Sequence, residues 1–246
     1  NNTTGSSNLA LGRSSLQSNT AGFENLAIGS QSLLSNTTGS DNLAIGLSSL
    51  FSNTTGSNNL AIGYQSLFSS TTGSSNLAIG LSSLQNNTTG FDNLAVGAFS
   101  LVNNTTGFDN LAIGRSSLQN NTTGSKNVAL GYASGTIFSY NNYLFLGGNT
   151  DALSDSLTNA VAIGYNAKVG SSNSIVLGSN CFVGIGKSSP AYSLHLGTDN
   201  SSVPLIYIAS SSVPAAPGVA NDGIFSVTSG LPKFTSGTSS HTGTLV

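Results

Sequence analysis

The chain has 246 residues, six basic and eight acidic, for a net charge of −2, and only 6% of its residues are charged. That balance excludes a nucleic-acid partner, because six scattered basic residues form no patch that could neutralise phosphates. Disorder is also excluded: 37% of the residues are hydrophobic, whereas disordered chains combine few apolar residues with high net charge. No run of eighteen apolar residues is present to span a bilayer. The single cysteine, Cys181, forms no intrachain disulfide, and its neighbours Phe182 and Val183 predict a buried, inert thiol. Met is absent and the first residues fall partway through a repeat, so the N-terminus is expected to lie upstream.

The first 132 residues are periodic. Gly12, Gly29, Gly46, Gly63, Gly80, Gly97, Gly114 and Gly131 stand 17 residues apart, and a second glycine series from Gly5 to Gly124 keeps the same step. The unit reads G-x-x-N-L-A-I-G-x-x-S-L-x-x-N-T-T, in eight copies. It is too short for a helix pair and has no helical apolar spacing, which leaves a stacked parallel β-solenoid. Within one unit, Leu43-Ala44-Ile45 reads as a strand with Leu43 and Ile45 facing the core and Ala44 facing out. Ser49-Leu50 reads as a second strand with Leu50 inward, and Asn53-Thr54-Thr55-Gly56 as a corner. One coil buries about three aliphatics at roughly 1.5–3 kcal/mol each. Ordering its backbone costs on the order of 17–34 kcal/mol. A lone coil is therefore unstable, and stacking is obligatory.

The outward reading of Ala10, Ala27, Ala44, Ala61, Ala78, Ala95, Ala112 and Ala129 makes them the candidate trimer interface, packed around a symmetry axis. The alternative is that they line a thin part of the core. The variable positions after the two glycine series, such as Arg13, Leu47, Tyr64, Leu81 and Arg115, and Phe23, Phe91 and Phe108, are expected to face out.

Residues 133–186 continue the solenoid with irregular and shorter coils. Strands are expected at Tyr143–Leu146, Val161–Ile163 and Ile175–Leu177, with a taper closing at Gly186. Residues 187–246 hold all five prolines and read as a small, separate C-terminal β region of short hairpins that needs partners for its core.

Two segments carry a family resemblance. Asn159-Ala160-Val161-Ala162-Ile163-Gly164-Tyr165-Asn166-Ala167 resembles the 14-residue head repeat of trimeric autotransporter adhesins, left-handed parallel β-rolls in which three chains pack side by side. Residues 183–196 are similar to a junction common in phage tail fibres, as is the Pro- and Gly-rich segment 213–235. These resemblances imply an all-β homotrimeric fibre, extracellular, on a virion or a bacterial surface. They imply attachment to a host cell-surface glycan or protein, with other fibre or virion proteins as partners.

No catalytic constellation is legible. His195, between Leu194 and Leu196, reads as a strand residue, and His241 lies in a polar tail. No G-x-S-x-G elbow stands between a strand and a helix, and one Cys with two distant His builds no zinc site. Gly147-Gly148-Asn149-Thr150-Asp151 reads as a plain turn rather than a calcium turn, and Asp151 with Asp155 as solvated carboxylates. The Asn-Thr-Thr corners at Asn36, Asn53, Asn87, Asn104 and Asn121 match a glycosylation pattern that corner chemistry explains without sugars. The expectation is therefore a non-enzymatic fibre with no cofactor and no metal. A bacterial trimeric surface adhesin or another secreted fibre is the alternative. An ice-binding solenoid, suggested by Thr ladders such as Thr37, Thr54, Thr88 and Thr105, and a glycan-degrading enzyme stand further off. Residues 197–246 are the expected receptor-contacting tip.

Overall fold

The computed structural model describes residues 2–137, 139–178, 181–185, 188–191, 193–196, 207–209, 222–228, 231–236 and 239–241. The Gly186 taper, and most of the expected tip including Leu205 and Ile206, lie outside them. No helix occurs among the described residues. The chain divides into two compact units, 1–179 and 180–246.

The first unit is a parallel β-solenoid. Each coil contributes one three-residue strand: β1 (Leu9–Leu11), β2 (Leu26–Ile28), β3 (Leu43–Ile45), β4 (Leu60–Ile62), β5 (Leu77–Ile79), β6 (Leu94–Val96), β7 (Leu111–Ile113), β8 (Val128–Leu130) and β9 (Leu144–Leu146). A two-residue strand β10 (Asp151–Ala152) precedes β11 (Val161–Ile163), and β12 (Lys168–Val169) precedes β13 (Ile175–Leu177). One parallel sheet of eleven strands runs β1 to β9, then β11 and β13, with β10 and β12 paired beside it. Register is set by the repeat: Leu26 pairs with Leu43, Ala27 with Ala44 and Ile28 with Ile45.

The strands face the opposite way from the sequence expectation. Ala27, Ala44, Ala61, Ala78, Ala95, Ala112 and Ala129 are completely buried inside their own coils. Ala10, in the first coil, is exposed. No partner chain can reach the buried seven, so the alanine column is a core column and not a trimer interface. The reason is volume. Leu33, Leu50, Leu67, Leu84, Leu101 and Leu118 enter from the other wall of the coil and are fully buried. Two further columns of buried Asn share the same narrow interior, and a methyl is all the strand can add.

The Ser49-Leu50 segment also departs from expectation. It is a turn, with Ser48 at φ 54° and Leu50 at φ 50°. A left-handed conformation costs a non-glycine residue about 1–2 kcal/mol. Burying the leucine returns roughly 1.5–3 kcal/mol, and the coil-to-coil ladder persists through the turn, with Leu50 N–H donating to Ser66 O at 2.9 Å.

The two glycine series have different causes. Gly46 ends its strand at φ 134°, where a Cβ would lie 2.5 Å from the Gly63 carbonyl oxygen. The corner Gly56 does not have positive φ; its Cβ would collide with the Gly73 carbonyl and the Asn53 amide. At the corner the requirement is close approach, not left-handed freedom.

Asparagine holds the corners. Asn53 Nδ2 donates to Asn36 Oδ1 at 2.7 Å and to Gly56 O at 2.9 Å. In the second column Asn42 Nδ2 donates to Asn25 Oδ1 at 3.1 Å and to Gly56 O at 2.9 Å. Such amide columns satisfy buried carbonyls that a shallow apolar core leaves unpaired. The first column breaks once. Ser70 occupies an Asn position, and the buried Asn53 Oδ1 and Ser70 Oγ are left without partners.

The coil between β8 and β9 changes its filling. Phe145 takes the alanine position, paired between Ala129 and Ala162. Gly135 takes the leucine position, and a Cβ there would meet Phe145 Cδ2 at 2.8 Å and Leu118 Cδ2 at 2.9 Å. The aromatic ring thus fills the volume that the leucine vacates. Tyr140 and Tyr143 close around it, with centroids 5.0 and 5.5 Å from Phe145.

The second unit contains β14 (Val183–Ile185), parallel to β15 (Leu194–Leu196). It also contains an antiparallel sheet of β16 (Tyr207–Ala209), β17 (Asp222–Thr228), β18 (Leu231–Ser236) and β19 (Ser239–His241), in that order. β18 and β19 pair antiparallel, Phe234 with His241, as short hairpins would, and His195 lies in a strand. Cys181 is exposed rather than buried.

Candidate interaction surface

With alanine inside, the first and third residue of each strand in the eleven-stranded sheet point outward. One outward column runs from Leu9 through Leu26, Leu43 and Leu60 to Val128, Leu144, Val161 and Ile175. The other runs from Leu11 through Ile28, Ile45 and Ile62 to Leu130, Leu146, Ile163 and Leu177. Every position in both columns is aliphatic, over all eleven strands of the sheet. Most are half-buried only by the coils above and below, and Leu9, Leu11, Ile113, Ile175 and Leu177 are exposed.

Ten steps of about 4.8 Å make this face about 48 Å long, and columns about 7 Å apart make it roughly 10–12 Å wide. The area, on the order of 500–600 Å², lies at the upper end of the range for the largest apolar patch of an ordinary monomer, about 300–600 Å². Both edges extend it. Leu47, Tyr64 and Leu81, just after the strand, are exposed on consecutive coils, as expected from sequence. Just before the strand, Phe23 and Phe91 are exposed, and the Phe91 and Phe108 rings stack at 5.0 Å. With these flanks the surface approaches the roughly 800 Å² per partner of a stable protein interface.

Charge is confined to the edges. Glu24, Asp41, Asp92, Asp109 and Lys126 precede the strands; Arg13 and Arg115 follow them, and all are exposed. Among the described residues the ion pair within the chain is Lys168–Asp151, at 3.9 Å.

The other chemical candidates are absorbed by the fold. Asp151 is buried, contrary to the solvated reading; it accepts from Tyr140 OH, from the Thr136 N–H at 3.1 Å and from the Thr136 hydroxyl at 3.3 Å. Asp155 is exposed. No metal-ligand cluster occurs among the described residues. Burial, and then the Asp155 charge, push the Tyr143 phenol above its ordinary pKa, opposed by its hydrogen bond to Leu157 O. Asn36, Asn53, Asn87, Asn104 and Asn121 are fully buried, so the glycosylation pattern is inaccessible in the folded coil. The Thr37 hydroxyl donates to Thr54 O at 2.9 Å, and Thr54 to Thr71 O at 3.0 Å. That threonine column binds its own backbone and presents no ordered array of hydroxyl donors to ice.

Sequence reasoning located the strands and missed the outward face. The readable signal was the paired exchange of Ala for Phe145 and Leu for Gly135, which marks those two positions as sharing one interior volume. Comparisons with protein-family models, with curated proteins and with solved structures gave no match.

Proposed function

We propose that this chain is a non-enzymatic, extracellular structural fibre that assembles as a homotrimer and mediates attachment to a host cell surface, as a phage tail fibre or receptor-binding fibre does. The observation that carries the proposal is the pair of unbroken aliphatic columns on the outside of the solenoid. A coil gains little from keeping such residues in water, since outward strand positions of a soluble solenoid accept Thr, Lys or Glu at no cost to the core. Three copies that turn these faces to a common axis would bury them, at about 25 cal/mol per Å² of apolar surface removed from water. The contact moves from the alanines to Leu43, Ile45 and their equivalents.

A long, charge-poor solenoid with corners locked by amide columns suits a passive spacer on a virion or a bacterial surface. A bacterial trimeric adhesin uses the same architecture and is the second reading. A host glycan or protein is the expected receptor, and other fibre or virion proteins the expected neighbours.

The attachment reading is tested with fluorescently labelled protein on a panel of bacterial strains and animal cells. Saturable binding, displaced by unlabelled protein, is expected on at least one cell type. Only non-saturable background across the panel would remove attachment and leave a scaffold.

A further inference from the structure

We propose that neighbouring copies of this chain stand parallel and level, with the acidic edge of one face against the arginine edge of the next, so that Asp109 of one copy pairs with Arg115 of its neighbour. The proposal rests on the side-by-side assembly above and adds its orientation and register.

Asp109 lies two residues before β7 and Arg115 two residues after it. Both are exposed. The whole outward face lies between them, six residues of chain or up to roughly 20 Å when extended. They therefore cannot meet within one coil, and neither forms an ion pair among the described residues. The problem is sharper along the edge. Asp92 and Asp109 occupy equivalent positions on adjacent coils, as do Glu24 and Asp41, which stacks like charges about one coil spacing, roughly 4.8 Å, apart.

A closed ring of copies relieves the Asp92–Asp109 stacking. Rotation about an axis along the solenoid brings the leading edge of each face against the trailing edge of the next, and closure forbids any axial shift between copies. At equal height Arg115 meets Asp109, with Asp92 one coil away. Lys126 meets the exposed ring of Tyr132, a cation–π geometry. Arg13 lies one coil from Glu24. No coil of the regular array then sets like charges against each other. A shift of one coil in the direction that moves Lys126 onto Arg115 would create such a clash.

Charge reversal tests the pairing in the intact chain. Asp109→Arg and Arg115→Asp should each raise the concentration at which half the assembly dissociates by about ten-fold at low salt. The double reversal should return it to within about three-fold of the native value. Salt should narrow these differences. Cross-linking gives a second readout independent of affinity. In a Cys181→Ser background, Asp109→Cys with Arg115→Cys should give covalently linked trimers with a short bis-maleimide. Asp109→Cys with Arg13→Cys, six coils or about 29 Å apart, should not. Linking by Asp109→Cys alone would mean that identical edges meet, and would overturn the proposal. A native trimer that shows neither the cross-link nor the rescue would overturn the level pairing and spare the trimer. A native monomer would sink both.

Discussion

The regular coils from Gly12 to Gly131 and the irregular coils from β9 to β13 solve the same packing problem differently. In the regular coils the interior is Ala, Leu, a serine such as Ser49 and two amides, repeated without change except at Ser70. From β9 onward the amide columns stop, a cluster of Tyr140, Tyr143 and Phe145 replaces them, and a buried carboxylate, Asp151, enters. The coil length changes as well: strand positions advance by 16 residues from Val128 to Leu144, by 17 to Val161 and by 14 to Ile175. The two outward columns do not change. Leu144, Leu146, Val161, Ile163, Ile175 and Leu177 continue them. A feature that survives while the interior behind it is rebuilt is not there for that interior, and this supports an external partner for the face.

The contrast can be broken most severely at the exchanged pair. Phe145→Ala should cost about 3–5 kcal/mol, because it empties the volume that no leucine fills. Gly135→Leu alone should also destabilise, since it drives a side chain into the ring. The double substitution restores the arrangement of the regular coils, where Leu118 already sits at φ 48°, and should recover much of the loss. Denaturant unfolding of the four proteins measures the coupling; additive losses would show that the two positions do not share one volume.

Within the regular coils the sharpest defect is at Ser70. Ser70→Asn should complete the amide column, satisfy Asn53 Oδ1 and stabilise by about 1–3 kcal/mol. A thermal melt no higher than the native one would show that the orphaned oxygen costs nothing.

A smaller effect separates the two regions by pH. The Tyr143 phenol is raised in the folded chain by burial and by Asp155. Its contribution is complete below the ordinary phenol pKa, about 10. It is lost as pH rises from there through the folded value, because the unfolded chain releases the proton first. Tyr143→Phe should therefore flatten the stability profile above pH 10 while losing about 1 kcal/mol at neutral pH with its hydrogen bond to Leu157. An unchanged alkaline profile would place the titration elsewhere.

Much of this fold was legible in the residues. The 17-residue step located every strand from Leu9 to Leu130, and the glycine after each strand marked its end. Facing was not legible, because a three-residue apolar strand alternates equally well either way. Which side is inside depends on what the rest of the coil already places there. Leu50 and the two Asn columns leave room for Ala44 and none for Leu43, and that is a volume argument across the coil. The corner glycines were legible as necessary, but for a backbone angle they do not adopt. Asp151 looked solvated because Tyr140, Thr136 and Lys168 converge on it only through coil stacking. The expectation of a trimer interface on the alanines followed from the same inversion, since those side chains lie on the inner side of the sheet.

The central claim is that the outward aliphatic face is buried between copies, and molar mass in solution tests it most directly. Light scattering on the intact chain should give three times the 24.7 kDa chain mass. The Ile62→Asp/Ile79→Asp variant should fall to the single-chain mass while keeping its β-type circular dichroism. A native chain that is monomeric at micromolar concentration, or a variant that stays trimeric, would contradict the account.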